Sequence, residues 1–186
     1  MPKISTYGTV TPAASDRIVV SDASDSNATK NITVGSLSSA TAISYYVDAY
    51  DIGPRTVVIS TADEWVTIPN IVFNVSGQAG FDVSGGNVVK NVSGVGLTAC
   101  KIMAFLNVKT ESGGSDQDIA LRFIKNTTVI PTAEGHSTVN QNHAGEITLG
   151  TIQSLALNDT IGLQIKNVNG TVNLEIDHVN LIITSL

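Results

Sequence analysis

Thr171-Val172-Asn173-Leu174-Glu175-Ile176-Asp177 is the stretch whose reading decides the fold class. In an extended chain Val172, Leu174 and Ile176 fall on one side, and Asn173, Glu175 and Asp177 on the other. A strand of that kind buries one face and leaves the other in water, which is how antiparallel sheet is written. The alternation recurs over residues 101–108, 119–125, 147–152 and 161–166, each run cut by Gly, Asn, Asp or Ser, with no helical pattern between them. These runs predict an all-β chain folded as an antiparallel β-sandwich, and they argue against a βαβ enzyme. Function must then be sought in surface and assembly.

The composition narrows the class further. The chain has 186 residues, of which 14% are charged and 5% aromatic, with a net charge of −6. Its exterior is therefore covered mainly by Ser, Thr, Asn and Gly. Nonspecific binding to nucleic acid needs clustered cations; ten Lys and Arg in a net-negative chain, without a basic patch, exclude it as an expectation. No apolar run reaches the ~18 residues of a membrane span, and Met1-Pro2-Lys3-Ile4-Ser5-Thr6 is followed by no apolar signal core. Neither a membrane partner nor export is expected. Cys100 is the single cysteine, which excludes an intrachain disulfide or a cysteine zinc cluster; it reads as a buried small hydrophobe.

Along the chain, residues 1–40 are polar, small and poor in core formers, and read as an extended N-terminal arm with short apolar signals at 18–20 and 32–34 and a brief helical turn near 35–40. Residues 41–54 read as a junction, closed by a Gly53-Pro54 turn, and 55–186 as the head domain. The expected strands cover 56–60, 65–68, 71–75, 88–92, 97–108, 119–130, 146–152, 160–166 and 171–185, with polar loops at 111–116 and 132–145. Tyr45, Tyr46, Tyr50 and Trp65 cluster at the presumed base of the head, where they close the sandwich, pack between subunits or stack on carbohydrate.

Two stretches resemble known families. The order from Lys101 onward, with Leu157-Asn158-Asp159-Thr160-Ile161 before the penultimate strand, is similar to the trimeric jelly rolls of the tumour-necrosis-factor and complement-head type. Asn158 stands where that family has Gly, and Asn tolerates the same left-handed backbone. The resemblance implies a jelly-roll homotrimer whose last strand lies near a threefold axis. The second stretch, Ser15-Asp16-Arg17-Ile18-Val19-Val20-Ser21-Asp22 followed by Thr29-Lys30-Asn31-Ile32-Thr33-Val34, resembles the amino-terminal part of tailed-phage fibre, spike and head-decoration proteins. It implies a virion anchor made by Asp16, Arg17, Ile18, Val20, Asp22, Ile32 and Val34, contacting capsid or tail proteins.

Catalytic chemistry has little support in the residues. There are three His and no Gly-x-Ser-x-Gly elbow, so no catalytic residue, cofactor site or metal site is assigned and the chain reads as a non-enzyme. His136 and His143, with Glu134 and Glu146 nearby, can be drawn as a metal site but read as a solvated loop. The Gly85-Gly86 and Gly113-Gly114 pairs lack a following Lys-Ser/Thr and are turns.

The expectation is a phage virion structural protein, made in the bacterial cytoplasm and built into the particle as a trimeric capsid decoration or short head fibre. A tail-fibre receptor-binding tip or a carbohydrate-binding module is the alternative. Contact with a host-surface glycan is expected at His136, Asn140, Gln141 and His143, in the longest polar interruption.

Overall fold

The computed structural model describes residues 15, 17–22, 28–33, 44–113 and 115–186. Two compact units divide the chain, Met1–Ile43 and Ser44–Leu186. In the first, β1 (Arg17–Asp22) pairs antiparallel with β2 (Ala28–Thr33), Arg17 opposite Thr33 and Asp22 opposite Ala28. Five of the expected anchor residues, Arg17, Ile18, Val20, Asp22 and Ile32, lie on these strands. Asp16, Val34 and the helical turn expected near 35–40 lie outside the described residues.

The second unit is a β-sandwich, with no helix among the described residues. Its strands are β3 (Tyr46–Val57), β4 (Val66–Thr67), β5 (Asn74–Ala79), β6 (Phe81–Asp82), β7 (Val88–Asn91), β8 (Leu97–Thr110), β9 (Gln117–Lys125), β10 (Thr128–Val139), β11 (Gly145–Leu155), β12 (Thr160–Asn167) and β13 (Leu174–Ser185). One sheet runs β11-β8-β13-β3-β5 and the other β10-β9-β12-β7-β6, with β4 beside β12 past the end of β7. All the ladders are antiparallel, and the chain crosses between sheets after β3, β4, β5, β7, β8, β10, β11 and β12. That is jelly-roll winding.

The period-two pattern fills the space between the sheets. Cys100, Ile102, Ala104, Leu106 and Val108 of β8 and Leu174, Ile176, Val179, Leu181 and Ile183 of β13 meet Ile119, Leu121 and Phe123 of β9 and Ile161, Leu163 and Ile165 of β12. Each large aliphatic or aromatic side chain so buried stabilises the fold by roughly 1.5–3 kcal/mol. Burial also raises the Cys100 thiol above its ordinary pKa, as an inert core cysteine requires.

Three expectations change. Residues 46–54 belong to the sheet: β3 starts at Tyr46, and Gly53-Pro54 is absorbed as an irregularity opposite Asp177 instead of turning the chain. Pro54 is tolerated there because β5 pairs only with Tyr46–Tyr50, so β3 is an edge beyond that point and needs no donor on its free side. The 132–145 loop is mostly strand, since β10 continues to Val139. The run 119–130 is two strands, broken at Asn126, whose φ of 57° makes the hairpin turn.

Candidate functional site

The outward face of the β13 sheet is built by the residues that the core alternation rejects. In β8 these are Lys101, Met103, Phe105, Asn107 and Lys109. Strand pairing sets them in rows across the sheet: Gly150–Met103–Ile182–Asp48, then Thr148–Phe105–Asn180–Tyr50, then Glu146–Asn107–His178–Ile52. Phe105, Ile152, Tyr46 and Ile52 are exposed, Ile52 to 68%, and Met103 and Ile182 are half-buried. A contiguous apolar stripe therefore crosses the middle of the sheet with no other strand of this unit over it, the usual mark of an interaction surface.

Toward Thr110 the same face becomes ionisable. Lys109 Nζ lies 2.7 Å from Glu175 Oε1 and 3.6 Å from Asp177 Oδ2. The hydrogen bond to Glu175 holds the Lys109 ammonium above its ordinary pKa. Phe105, Asn107, Glu146, Thr148 and His178 line a shallow cleft between β8, β11 and β13.

The two ends of the sandwich differ. The chain enters beside Ser185, which accepts from the Tyr45 N–H at 2.9 Å through its hydroxyl. At this end Asn91 is fully buried and its amide donates to the carbonyls of Val95, Leu155 and Ala156 at 3.0–3.1 Å. The Asn158 N–H donates to the Asn91 carbonyl at 2.9 Å, and Asn158 has φ 69°, the left-handed backbone its place in the turn requires. Asp159 accepts from Asn126 Nδ2 and the Ala156 N–H, each at 2.9 Å, and lies 3.5 Å from Lys125. The Asn126 hydrogen bond, helped by Ala156 and Lys125, holds its carboxyl below the ordinary value.

At the opposite end the two loops expected to make outer contacts are joined. Asn140 Nδ2 donates to Asp116 Oδ1 at 2.8 Å, and the Gln141 N–H to the Gly113 carbonyl at 3.4 Å. Asn140 and His143 exchange backbone hydrogen bonds at 3.0 and 3.3 Å, closing a tight turn. Gln141 and His143 are exposed on it. His136 is not in this loop. It lies on β10, with Nε2 3.2 Å from Glu134 Oε1 and Nδ1 3.8 Å from Asp118 Oδ1. Opposite ring nitrogens face the two carboxylates, and among the described residues no group of His, Cys, Asp or Glu is placed to hold a metal ion.

Trp65 is separated from Tyr46 and Tyr50. The tyrosines point from the β13 sheet, whereas the indole is held beside the other sheet by Arg122, 4.1 Å from the ring centroid, and Lys166, 4.7 Å away. Arg122 donates to Gln164 Oε1 at 2.9 and 2.7 Å, and Lys166 pairs with Asp63 at 2.6 Å. The ring is engaged by the protein's own cations.

No family model matches this sequence, and no curated protein matches it. Solved structures similar to it include murine APRIL at pH 5.0, at 6% identity over 77% of this chain and 100% of that one with a TM-score of 0.49. The Eiger TNF of S. frugiperda is similar at 6% identity over 76% of this chain and 93% of its own, TM-score 0.49. The globular domain of zebrafish complement 1qA is similar at 8% identity over 76% and 95%, TM-score 0.43.

Proposed function

We propose that this chain is a non-enzymatic structural protein of a phage virion, a trimeric capsid decoration or short head fibre held to the particle by residues 1–40. The observation that carries the assembly half of this reading is the uncovered apolar stripe of Phe105, Met103, Ile182, Ile152 and Tyr46 on the β13 sheet. Covering it with further copies removes that surface from water and hides the sheet edges, which are a pairing hazard in a monomer. Three is the number implied by the likeness of the Leu157–Ile161 turn to the trimeric jelly rolls. The virion half rests on the likeness of Ser15–Asp22 and Thr29–Val34 to phage particle anchors.

Two measurements test it. Light scattering on the purified chain should give about three times the 19.4 kDa protomer mass; a clean monomer at micromolar concentration ends the assembly reading. Deleting residues 1–40 should leave a folded trimer that no longer copurifies with virions. Equal incorporation of the truncated chain ends the anchor reading.

A receptor-binding tip is the second reading, favoured by the joined loops at Asp116 and Asn140, which lie at the end of the sandwich away from Ser44. A carbohydrate-stacking module is disfavoured, because Arg122 and Lys166 already lie over the single tryptophan ring.

A further inference from the structure

The connection between β12 and β13, residues 168–173, lies at the Asn140 end of the sandwich and contains Asn169-Gly170, the one Asn-Gly pair in the sequence. Such a pair is the asparagine setting most open to attack from its own backbone, because glycine brings its nitrogen to the preceding side chain with no Cβ in the way. Asn169 is exposed, and its Oδ1 accepts from the Asp118 N–H at 2.9 Å. The Gly170 N–H donates to Oδ1 of Asn167 at 3.1 Å. Asn167 is fully buried, and its Nδ2 donates to Gln117 Oε1 at 3.0 Å and to the Val172 carbonyl at 3.3 Å. A Cβ at position 170 would overlap Gln117 Oε1. The packing that demands glycine there thus creates the reactive pair, and the Asn167 hydrogen bond restrains it.

We infer that Asn169 is a site of spontaneous deamidation whose rate is set by local release of Gly170 from Asn167; this goes beyond the assembly and virion readings and does not rest on them. With the Gly170 N–H on Asn167 and the Asn169 amide oxygen on Asp118, both reacting groups are held by other partners, so attack waits on opening of the loop. In the step, the Gly170 nitrogen gives its proton to solvent and bonds to Cγ of Asn169. The Cγ–Nδ2 bond breaks, and Nδ2 takes up a proton and leaves as ammonia. Water then opens the succinimide at either carbonyl, giving aspartate or isoaspartate at position 169. No oxidant or reductant takes part. Either product adds a negative charge beside Asp118 to a chain of net charge −6. The isoaspartate also carries the main chain through one more methylene, which moves Gly170 off the buried Asn167. The change falls on the end of the sandwich where Asp116 and Asn140 join the outer loops.

The test holds the purified full-length chain and a synthetic peptide of residues 166–173 in the same mildly alkaline buffer. Peptide mass mapping counts the acid formed at each asparagine, and isoaspartyl methyltransferase labels the isoaspartate. In the unit from Ser44 to Leu186, Asn169 should be the first asparagine to convert, and about tenfold or more slowly than in the peptide, because opening the loop breaks hydrogen bonds to a buried amide. Asn167→Ala removes the restraint and should bring the rate several-fold toward that of the peptide. Gln117→Met, which frees the Asn167 side chain, should act in the same direction and carries the test if Asn167→Ala does not fold. Asn169→Gln should abolish the product. Asp159→Asn weakens the fold at the opposite end and should leave the rate unchanged, which separates local from global opening. Conversion that begins at another asparagine of this unit, or no product in wild type and in the folded loop variants, overturns the site. A wild-type rate equal to the peptide's, or one raised by Asp159→Asn as much as by Gln117→Met, overturns the restraint by Asn167.

Discussion

Asn180 on β13 donates its side-chain N–H to Asp48 Oδ1 on β3 at 3.0 Å, while its own Oδ1 is buried without a partner. The amide sits in the row between Phe105 and Tyr50, at the middle of the uncovered face. Only the donor half of the side chain is satisfied, and a buried unpaired acceptor costs about 1–3 kcal/mol.

Asn180→Asp should turn this contact into a clash of carboxylates. Two like charges about 4 Å apart cost up to ~4 kcal/mol at an effective dielectric of 20. The new acid is relieved by taking up a proton, so its folded pKa lies above its unfolded one and the penalty grows as pH rises. Thermal melts should show a variant near wild type at pH 4 and at least 5 °C less stable at pH 7. A deficit independent of pH would contradict the pairing. Asn180→Leu should melt at or above the wild-type temperature, since Asp48 keeps the Ser76 hydroxyl, 2.5 Å away.

Asp159 gives the opposite sign. Its folded pKa is lowered by Asn126, Ala156 and Lys125, so its contribution is complete above the ordinary carboxylate value of about 3.9 and disappears as pH falls through the lower folded value. Asp159→Asn should cost about 1–3 kcal/mol at pH 7, some 3–8 °C in a domain of this size. The gap between variant and wild type should shrink below pH ~4. Calorimetry across pH 2.5–7 checks both the size and the slope.

Ile182→Glu places a charge in the apolar stripe next to Met103 and Asp48. Ile182 points away from the core, so the sandwich should fold, with an unchanged far-ultraviolet circular dichroism spectrum, while on the proposed trimer the mass by light scattering falls from three protomers to one. A trimeric Ile182→Glu would move the interface elsewhere on the head.

Much of the fold was legible because burial and alternation coincide. Leu174 and Ile176 point inward as the opening stretch requires, and β8, β11 and β12 follow the same pattern. β10 was hidden. Thr132-Ala133-Glu134-Gly135-His136-Ser137-Thr138 buries little besides Ala133, and Gly135 has no side chain because a Cβ there would come within 2.6 Å of Leu149 Cδ2. Backbone pairing of Glu134–Val139 with Gln117–Arg122 of β9, more than hydrophobicity, makes that segment a strand, and the glycine lets it lie close over β11. Neighbourhood in sequence also misled for Trp65, which folds back beside β9 and β12 through contacts with Arg122 and Lys166 that no local pattern announces. The outward rows were readable as alternation, but which polar-side residues line up depends on register, which the bulge at Asp177 shifts.

The joined loops at the far end separate a contact surface from an inert tip. Asn140 is structural: it bonds Asp116 and accepts the Asn142 N–H at 2.9 Å, so Asn140→Ala should loosen both loops and lower the melting temperature by 2–6 °C for a loss of about 1–2 kcal/mol. Gln141 and His143 are exposed, and His136 is half in water on β10, so replacing those three with Ser should leave the melt unchanged. On the proposed reading as a trimeric phage protein, contact of this end with a host-surface glycan predicts that the triple variant lowers adsorption to cells by a factor of ten or more, because weak sugar contacts repeated over the copies are lost together. Unaltered adsorption with an unaltered melt removes host attachment from the proposed role.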